Sequence, residues 1–318
     1  MTNPTILTAG IDTSKAKLDI AIHGQRGVFT VPNDTAGWAK LAVQLGNAGV
    51  QRIGIEATGG YERGVTRRLQ QVGFTVVTLQ PLQVKAFAKL RLRRAKTDRI
   101  DAGLIAACTH LLDAANKMPP DPRFDALGDH LTYIEQIEED VARIKTRLEH
   151  IHEPRLRRMA NSDLTRLEKR CTKELRRLIA ALRVHADLSH RFDLVLSIDG
   201  IGERTTAALV VRMPELGQLS REEAASLAGL APFVHQSGKY QGETHIGGGR
   251  ARLRRSLYAA ALAASFHWNA ALKALYERLI ARGKCHKSAL VACARKLLIF
   301  ANAVVQRGTP WTGRVASA

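Results

Sequence analysis

Asp12, Glu56, Asp98 and Asp101 are the acids in this sequence whose surroundings suit chemistry better than solvation. Asp12 stands inside the apolar run ILTAGIDTSKAKLDIAI, and Glu56 closes another, RIGIEATGG. Asp98 and Asp101 share KTDRIDA, which opens an apolar helical pattern, and a spacing of three puts both on one side of a helix. Carboxylates brought together repel one another unless a hard cation neutralises them. One or two Mg²⁺ ions suit such an all-oxygen set and leave positions open for phosphate. Two ions could stabilise both the attacking and the leaving oxygen of a phosphoryl transfer. Taken singly, the acids have plainer uses: Asp101 could pair with Arg99 or Lys96, and Asp12 could cap a turn with Thr13 and Ser14. The run RLRRAK just ahead, with Arg91, Arg93, Arg94 and Lys96, is either a solvated face or a clamp on a nucleic-acid backbone.

A second constellation lies far downstream. Ser237 sits in HQSGKYQG between glycines that give backbone access, with Lys239 two residues on as a phosphate contact. Gly247-Gly248-Gly249 and the cluster Arg250, Arg252, Arg254 and Arg255 follow. A serine hydroxyl is a poor nucleophile without help. The arginines could stabilise a pentacovalent phosphate and its leaving group, and His235 could accept the proton. Tyr240 and Tyr258 compete as nucleophiles, and on residues 235–242 alone a plain Ser-Gly turn in a nucleic-acid-binding loop is the better explanation, since turns favour Ser and Gly.

The composition points both constellations at a polyanion. The 318 residues carry a net charge of +19, and such an excess marks proteins that displace the counterions of nucleic acid. Residues 1–120 hold 16 Lys and Arg against 8 acids, residues 121–190 hold 14 against 13, and residues 191–318 hold 18 against 8. Nucleic acid is therefore expected at the two basic ends, with a structural middle. Four scattered cysteines, Cys108, Cys171, Cys285 and Cys293, form no CxxC pair, which argues against a disulfide framework or zinc ribbon and fits a reducing cytoplasm. Cys285-His286 with Cys293 is at most half a metal site. No secretory signal is read at the start, and no membrane span is expected.

The elements that must position these residues follow from periodicity and punctuation. Residues 5–32 read as three strands, and Asn33-Asp34-Thr35 caps a helix. RIGIEAT and FTVVTLQP are further strands, each followed by a helical pattern. That order predicts an α/β domain with a mixed sheet, similar to the RNase H (RuvC-like) fold, over residues 1–118. Met118 to Pro122 is a break. Residues 119–190 then read as two long helices, with apolar stripes from Leu131 to Leu148 and from Leu164 to Leu182, a coiled-coil linker or oligomerisation segment. Residues 191–318 read as a mainly helical domain, with GTPWTGRVASA a loose tail. Within it, SIDGIGERTTAALV has the apolar-Gly-apolar-Gly pattern of a helix-hairpin-helix, in which Gly200 and Gly202 would bring backbone amides to a phosphate; a tight turn between helices serves equally.

The quoted segments carry a resemblance. GIDTSKAKLDIAI, IEATGGYE, LQPLQVKAFAK and RRAKTDRIDAGLIA resemble the DEDD domain of the IS110 family of insertion-sequence transposases. SIDGIGERTTAALV and LAGLAPFVHQSGKYQGETHIGGGRARLRRSLY resemble that family's C-terminal transposase domain, in the family's order. The resemblance implies that Asp12, Glu56, Asp98 and Asp101 bind Mg²⁺ and that Ser237 is a nucleophile forming a phosphoserine link to DNA at a composite site. It further implies a homo-oligomer, dimer or tetramer, that holds target and donor DNA and an element-encoded bridge RNA, in the bacterial cytoplasm at the nucleoid. The competing reading is a RuvC-like, metal-dependent endonuclease that uses water and binds DNA through its C-terminal domain.

Overall fold

The structure, a computed structural model, describes residues 6–91, 98–112, 121–233, 236–237, 240–241 and 245–313. The chain divides into two units, Met1–Pro119 and Pro120–Ala318.

In the first unit, strands β1 (Thr8–Thr13), β2 (Lys17–Ile22) and β3 (Phe29–Pro32) form an antiparallel meander. Ser14 closes the first turn: its hydroxyl donates to the Lys17 carbonyl at 2.9 Å and accepts from the Lys17 amide at 3.2 Å. Helix α1 (Thr35–Asn47) starts where Asp34 accepts from the Gly37 amide at 2.7 Å. Strand β4 (Arg52–Glu56), helix α2 (Arg63–Gln71), strand β5 (Thr75–Leu79), helix α3 (Pro81–Leu90) and helix α4 (Asp98–Leu111) complete the unit. The sheet order is β3-β2-β1-β4-β5, with β4 parallel to β1 and β5 parallel to β4.

Alternation along the strands sorts side chains onto two faces. Ile11, Ile20, Ile53 and Ile55 pack with Leu41 and Leu45 of α1 and with Val65 and Leu69 of α2. On the other face, Val77 and Leu79 pack with Val84 of α3 and with Leu104, Ile105 and Cys108 of α4.

Among the described residues, the second unit is helical apart from four two-residue strands and the connecting loops. Its helices are α5 (Arg123–Leu148), α6 (Pro154–Arg183), α7 (Ala186–Leu196), α8 (Glu203–Arg212), α9 (Arg221–Leu227), α10 (Ala251–Ala263), α11 (Ala270–Ala281) and α12 (His286–Arg307). Strands β6 (Pro232–Phe233), β7 (Gln236–Ser237), β8 (Tyr240–Gln241) and β9 (His245–Ile246) lie between α9 and α10. Helices α5 and α6 form a hairpin. Only its base is buried: Leu127, Leu131, Ile134, Leu178, Ile179 and Leu182 join the core built by α7, α8, α10 and α12. Beyond Ile137 the expected apolar stripe continues half-buried at Ile144, Leu148, Leu164 and Leu167. The middle of the chain is thus part of the same compact unit as the C-terminal helices.

Two sequence expectations need amending. Helix α12 is long and apolar enough to cross a membrane, but more than half of its apolar window is buried, with Leu297, Leu298, Ala301 and Val304 in the core. Nor is the tail wholly loose. The Trp311 amide donates to Ser197 Oγ at 2.8 Å, and its ring lies 4.4 Å from that of Phe300.

Candidate active site

The direction of α4 on the sheet decides towards which end of the sheet its acids lie. Gly10 lies under the Ala102 carbonyl and the Ala106 amide of α4, and Gly54 lies under Thr109. At the far end, Arg52 of β4 donates to the Leu112 carbonyl at 3.1 Å. Helix α4 therefore runs antiparallel to β1 and β4. Its first residue, Asp98, lies towards the end of the sheet where β1 and β4 finish.

Asp12 and Glu56 occupy those strand ends. β1 and β4 pair in register through Ile11 and Ile55, so Asp12 and Glu56 follow as neighbours. Asp12 shares a face with Gly10, and Glu56 with Gly54, the face that α4 covers. Asp101 lies just ahead of the Ala102–Ala106 turn that covers Gly10, and Asp12 lies two residues beyond Gly10, so both are displaced towards the strand ends. The positive end of the α4 dipole also lies there, which favours carboxylates.

One acid of this face was not singled out in the sequence. Asp19 of β2 pairs directly across from Asp12. It is 6% exposed, and its carboxylate accepts from Thr30 Oγ1 at 2.5 Å and meets Lys17 Nζ at 2.8 Å. The LDIAI alternation gave β2 its faces, but pairing with Asp12 depends on the turn at Ser14. The turn itself is closed by the Ser14 hydroxyl.

Among the described residues no group of three carboxylate, imidazole or thiol side chains is drawn together closely enough to hold an ion. The Asp98 side chain lies outside the described residues, as do Arg93, Arg94 and Lys96. Asp12, Glu56 and Asp101, each half-buried, offer only oxygen donors, the kind a hard divalent cation takes. Arg91 is exposed, with its guanidinium 5.1 Å over the Phe87 ring. Cys285 and Cys293 make no metal site with His286: Cys293 is buried, and the His286 ring is bonded to Tyr276 at 2.8 Å.

In the second unit, β6 pairs with β9 and β7 pairs with β8, with Ser237 opposite Tyr240. The segment is thus folded back on itself, and Ser237 lies on its inner ladder. The Ser237 side chain, His235 and Lys239 lie outside the described residues.

The arginine cluster after it is bound within the chain. Arg250 makes a two-pronged bond to Glu215, at 2.6 and 2.8 Å. Burial raises the Glu215 carboxyl, but the Arg250 guanidinium, backbone hydrogen bonding and the charge of Arg191 together hold it below the usual carboxylate range. Arg252 donates to Glu135 at 2.7 Å, and Arg255 donates to Glu139 at 3.0 Å. Arg254 reaches the Gly248 carbonyl at 2.7 Å and so fastens the triglycine loop.

The glycine turn between α7 and α8 has a packing cause. Gly200 has φ +91, and a Cβ there would come within 2.3 Å of the Ala264 methyl. Gly202 is exposed and caps α8 without a side-chain bond.

Comparison with known proteins bears on both units. Residues 9–152 match a family model described as "Transposase", and residues 192–277 match one described as "Transposase IS116/IS110/IS902 family". The pilin gene-inverting protein of Moraxella bovis is 28% identical over 320 residues, spanning 96% of this chain and 98% of that protein. The protein of the same name from Moraxella lacunata is equally similar. An uncharacterized 43.6 kDa protein of insertion element IS110 from Streptomyces coelicolor is 34% identical over 124 residues, which is 38% of this chain and 30% of that protein.

Proposed function

The chain belongs to the IS110 family of transposases, and from that premise we propose that it exchanges DNA strands through a phosphoserine intermediate. It is a DNA-cleaving and rejoining enzyme. The observation that supports the finer reading is the antiparallel seat of α4, whose N-terminal end points towards the strand ends that carry Asp12 and Glu56. The order β3-β2-β1-β4-β5 supports an RNase H-like frame for them. The family's DEDD acids imply a divalent metal, which Mg²⁺ would fill. When bound, it would neutralise the phosphate and favour the transfer.

In this reading the Ser237 hydroxyl attacks a DNA phosphorus. A P–Oγ bond forms, the bond to one deoxyribose oxygen breaks, and that oxygen takes up a proton while the serine proton passes to a base. A second strand's hydroxyl then attacks that phosphorus, its proton passing to a base; a new P–O bond forms, the P–Oγ bond breaks, and Ser237 Oγ takes up a proton, which completes the exchange and frees the serine. Two relatives are named for inverting a pilin gene, and inversion requires rejoining as well as cutting, which favours a covalent intermediate over hydrolysis. Guidance by an element-encoded bridge RNA, assembly as a dimer or tetramer on target and donor DNA, and a cytoplasmic setting belong to the same proposal. Base pairing would then read the target, leaving the protein to grip backbone.

The test uses a plasmid bearing two recombination sites, with the RNA transcribed beside the element. Ser237→Ala is expected to abolish both recombinant product and covalent protein–DNA adduct, and Asp12→Asn to abolish product. Nicking that persists in Ser237→Ala without an adduct would establish the endonuclease that uses water. Sequencing of co-purified nucleic acid is expected to return one structured RNA; random fragments would remove the guide.

A further inference from the structure

A cavity of about 380 Å³ opens beside the base of the folded segment that carries Ser237. It is built by β6, β9, the end of α11 and the first turns of α12, all within the second unit. Its floor is apolar: Leu230, Ile246, Leu279 and Val291 line it. Its rim is cationic, with Lys284, Lys287 and Arg295. Among the described residues none of these three meets an acid, in contrast to Arg250, Arg252 and Arg255. The positive end of the 22-residue helix α12 adds to the same potential.

The chemistry of the cavity names its occupant. Three cations around an apolar floor match a phosphate joined to a flat, largely apolar ring. The volume falls within the range of ~300–1,000 Å³ typical of small-ligand sites, too narrow for a duplex. We propose that the cavity takes one unpaired nucleotide of the DNA strand undergoing exchange, its phosphate on Lys284, Lys287 and Arg295 and its base on the floor. The proposal rests on the reading of the chain as a DNA strand-exchange enzyme and adds a subsite to it. The pairing of Pro232–Phe233 with His245–Ile246 puts the cavity wall and the Ser237 ladder on one continuous piece of chain. A nucleotide held there would fix the strand near the serine, as a positioning site.

The probes are a fluorescein-labelled 12-mer of thymidine and a 12-mer of abasic deoxyribose phosphate, titrated by anisotropy against the full chain. Wild type is expected to prefer the thymidine strand. Lys284→Gln/Lys287→Gln/Arg295→Gln should bind both probes at least tenfold more weakly, with the salt slope shallower by about two units. Ala292→Phe, which fills the cavity from α12, should bring thymidine binding down to the abasic level with the slope unchanged. Unfolding midpoints within a few degrees of wild type show that each variant is folded, and Lys287→Arg, which keeps the charge, should bind as wild type does. Equal affinity of wild type for the two probes, or triple-variant binding equal to wild type, overturns the proposal. So does a 12-mer of uridine that binds tenfold more tightly than thymidine. Ser237→Ala separates the two readings: recombination surviving in it would sink the phosphoserine mechanism, and its oligonucleotide binding should match wild type.

Discussion

At Gly10 a hydrogen is the largest substituent the structure admits. A Cβ there would meet the Ala106 amide nitrogen at 2.2 Å and the Ala102 carbonyl oxygen at 2.4 Å, both backbone atoms with no rotamer to escape into. Gly10→Ala must therefore lift α4 from β1. The expected loss of stability is about 3 kcal/mol, the upper end of overpacking costs, measured by urea denaturation. Recombination should fall further than stability, because the lifted helix carries Asp98 and Asp101. Gly103→Ala is the control on the same helix: it meets nothing within 4 Å, and it should raise stability by ~0.5–1 kcal/mol through the reduced entropy of the unfolded chain. At the other end of α4, His23 stacks on His110 with ring centroids 4.4 Å apart. Burial, then the charges of His110 and Arg91, push the His23 pKa below 6.5. The unfolded chain thus binds more protons there than the folded one, so stability is full above pH 6.5 and declines as pH falls through 6.5 towards the folded value. Urea midpoints from pH 8 to pH 5 should fall more steeply for wild type than for His23→Gln; parallel curves would dismiss the effect.

Between elements, the second unit is tied by an ionic network centred on Glu135 of α5. Its carboxylate is 6% exposed and accepts from Arg212 of α8 and Arg252 of α10, while Arg204 of α8 forks onto Glu138 at 2.6 and 2.8 Å. Removing one partner leaves buried charge uncompensated. Glu135→Ala is expected to cost about 3–5 kcal/mol, read as a lower denaturation midpoint, and to free α5 from α8 in hydrogen exchange of the Leu131–Ile137 amides. If α5 were only a linker, the change would be near zero. This network marks where the sequence stopped being readable. The strands, the Asp34 cap, both long helices and the face shared by Asp98 and Asp101 are local patterns, set by residues a few positions apart. Arg252 and Arg255 invited a reading as phosphate ligands because their partners lie 117 and 116 residues away in the chain. Gly10 looked like one more strand residue until the helix above it was known. Asp19 needed the register of a turn, and the cavity needed β6, β9, α11 and α12 at once.

Over the whole molecule, the net charge of +19 is less available than its size suggests. In the second unit, acids of the charge-balanced middle neutralise arginines of the basic C-terminal stretch: Glu135 takes Arg212 and Arg252, Glu138 takes Arg204, and Glu139 takes Arg255. These bonds differ in what they leave for a polyanion. Arg252 lies against a buried carboxylate and cannot turn outward without stranding it. Arg255 is 70% exposed, and Glu139 beside it 37%, so that pair is screened by solvent and is worth little to the fold. A phosphate can therefore displace Glu139 but not Glu135. The two arginines, three positions apart on α10, should behave oppositely. Arg252→Gln is expected to lower stability by about 1–3 kcal/mol, with nucleic-acid affinity falling only as the folded fraction falls. Arg255→Gln should leave the unfolding midpoint unchanged and weaken duplex DNA binding at every sequence tested, with the slope of log K against log salt shallower by about one unit. Titrations from 50 to 300 mM salt with a duplex probe decide it. A shallower slope in Arg252→Gln and none in Arg255→Gln would mean that the buried arginine turns outward on binding and that the Glu135 network opens when DNA is held.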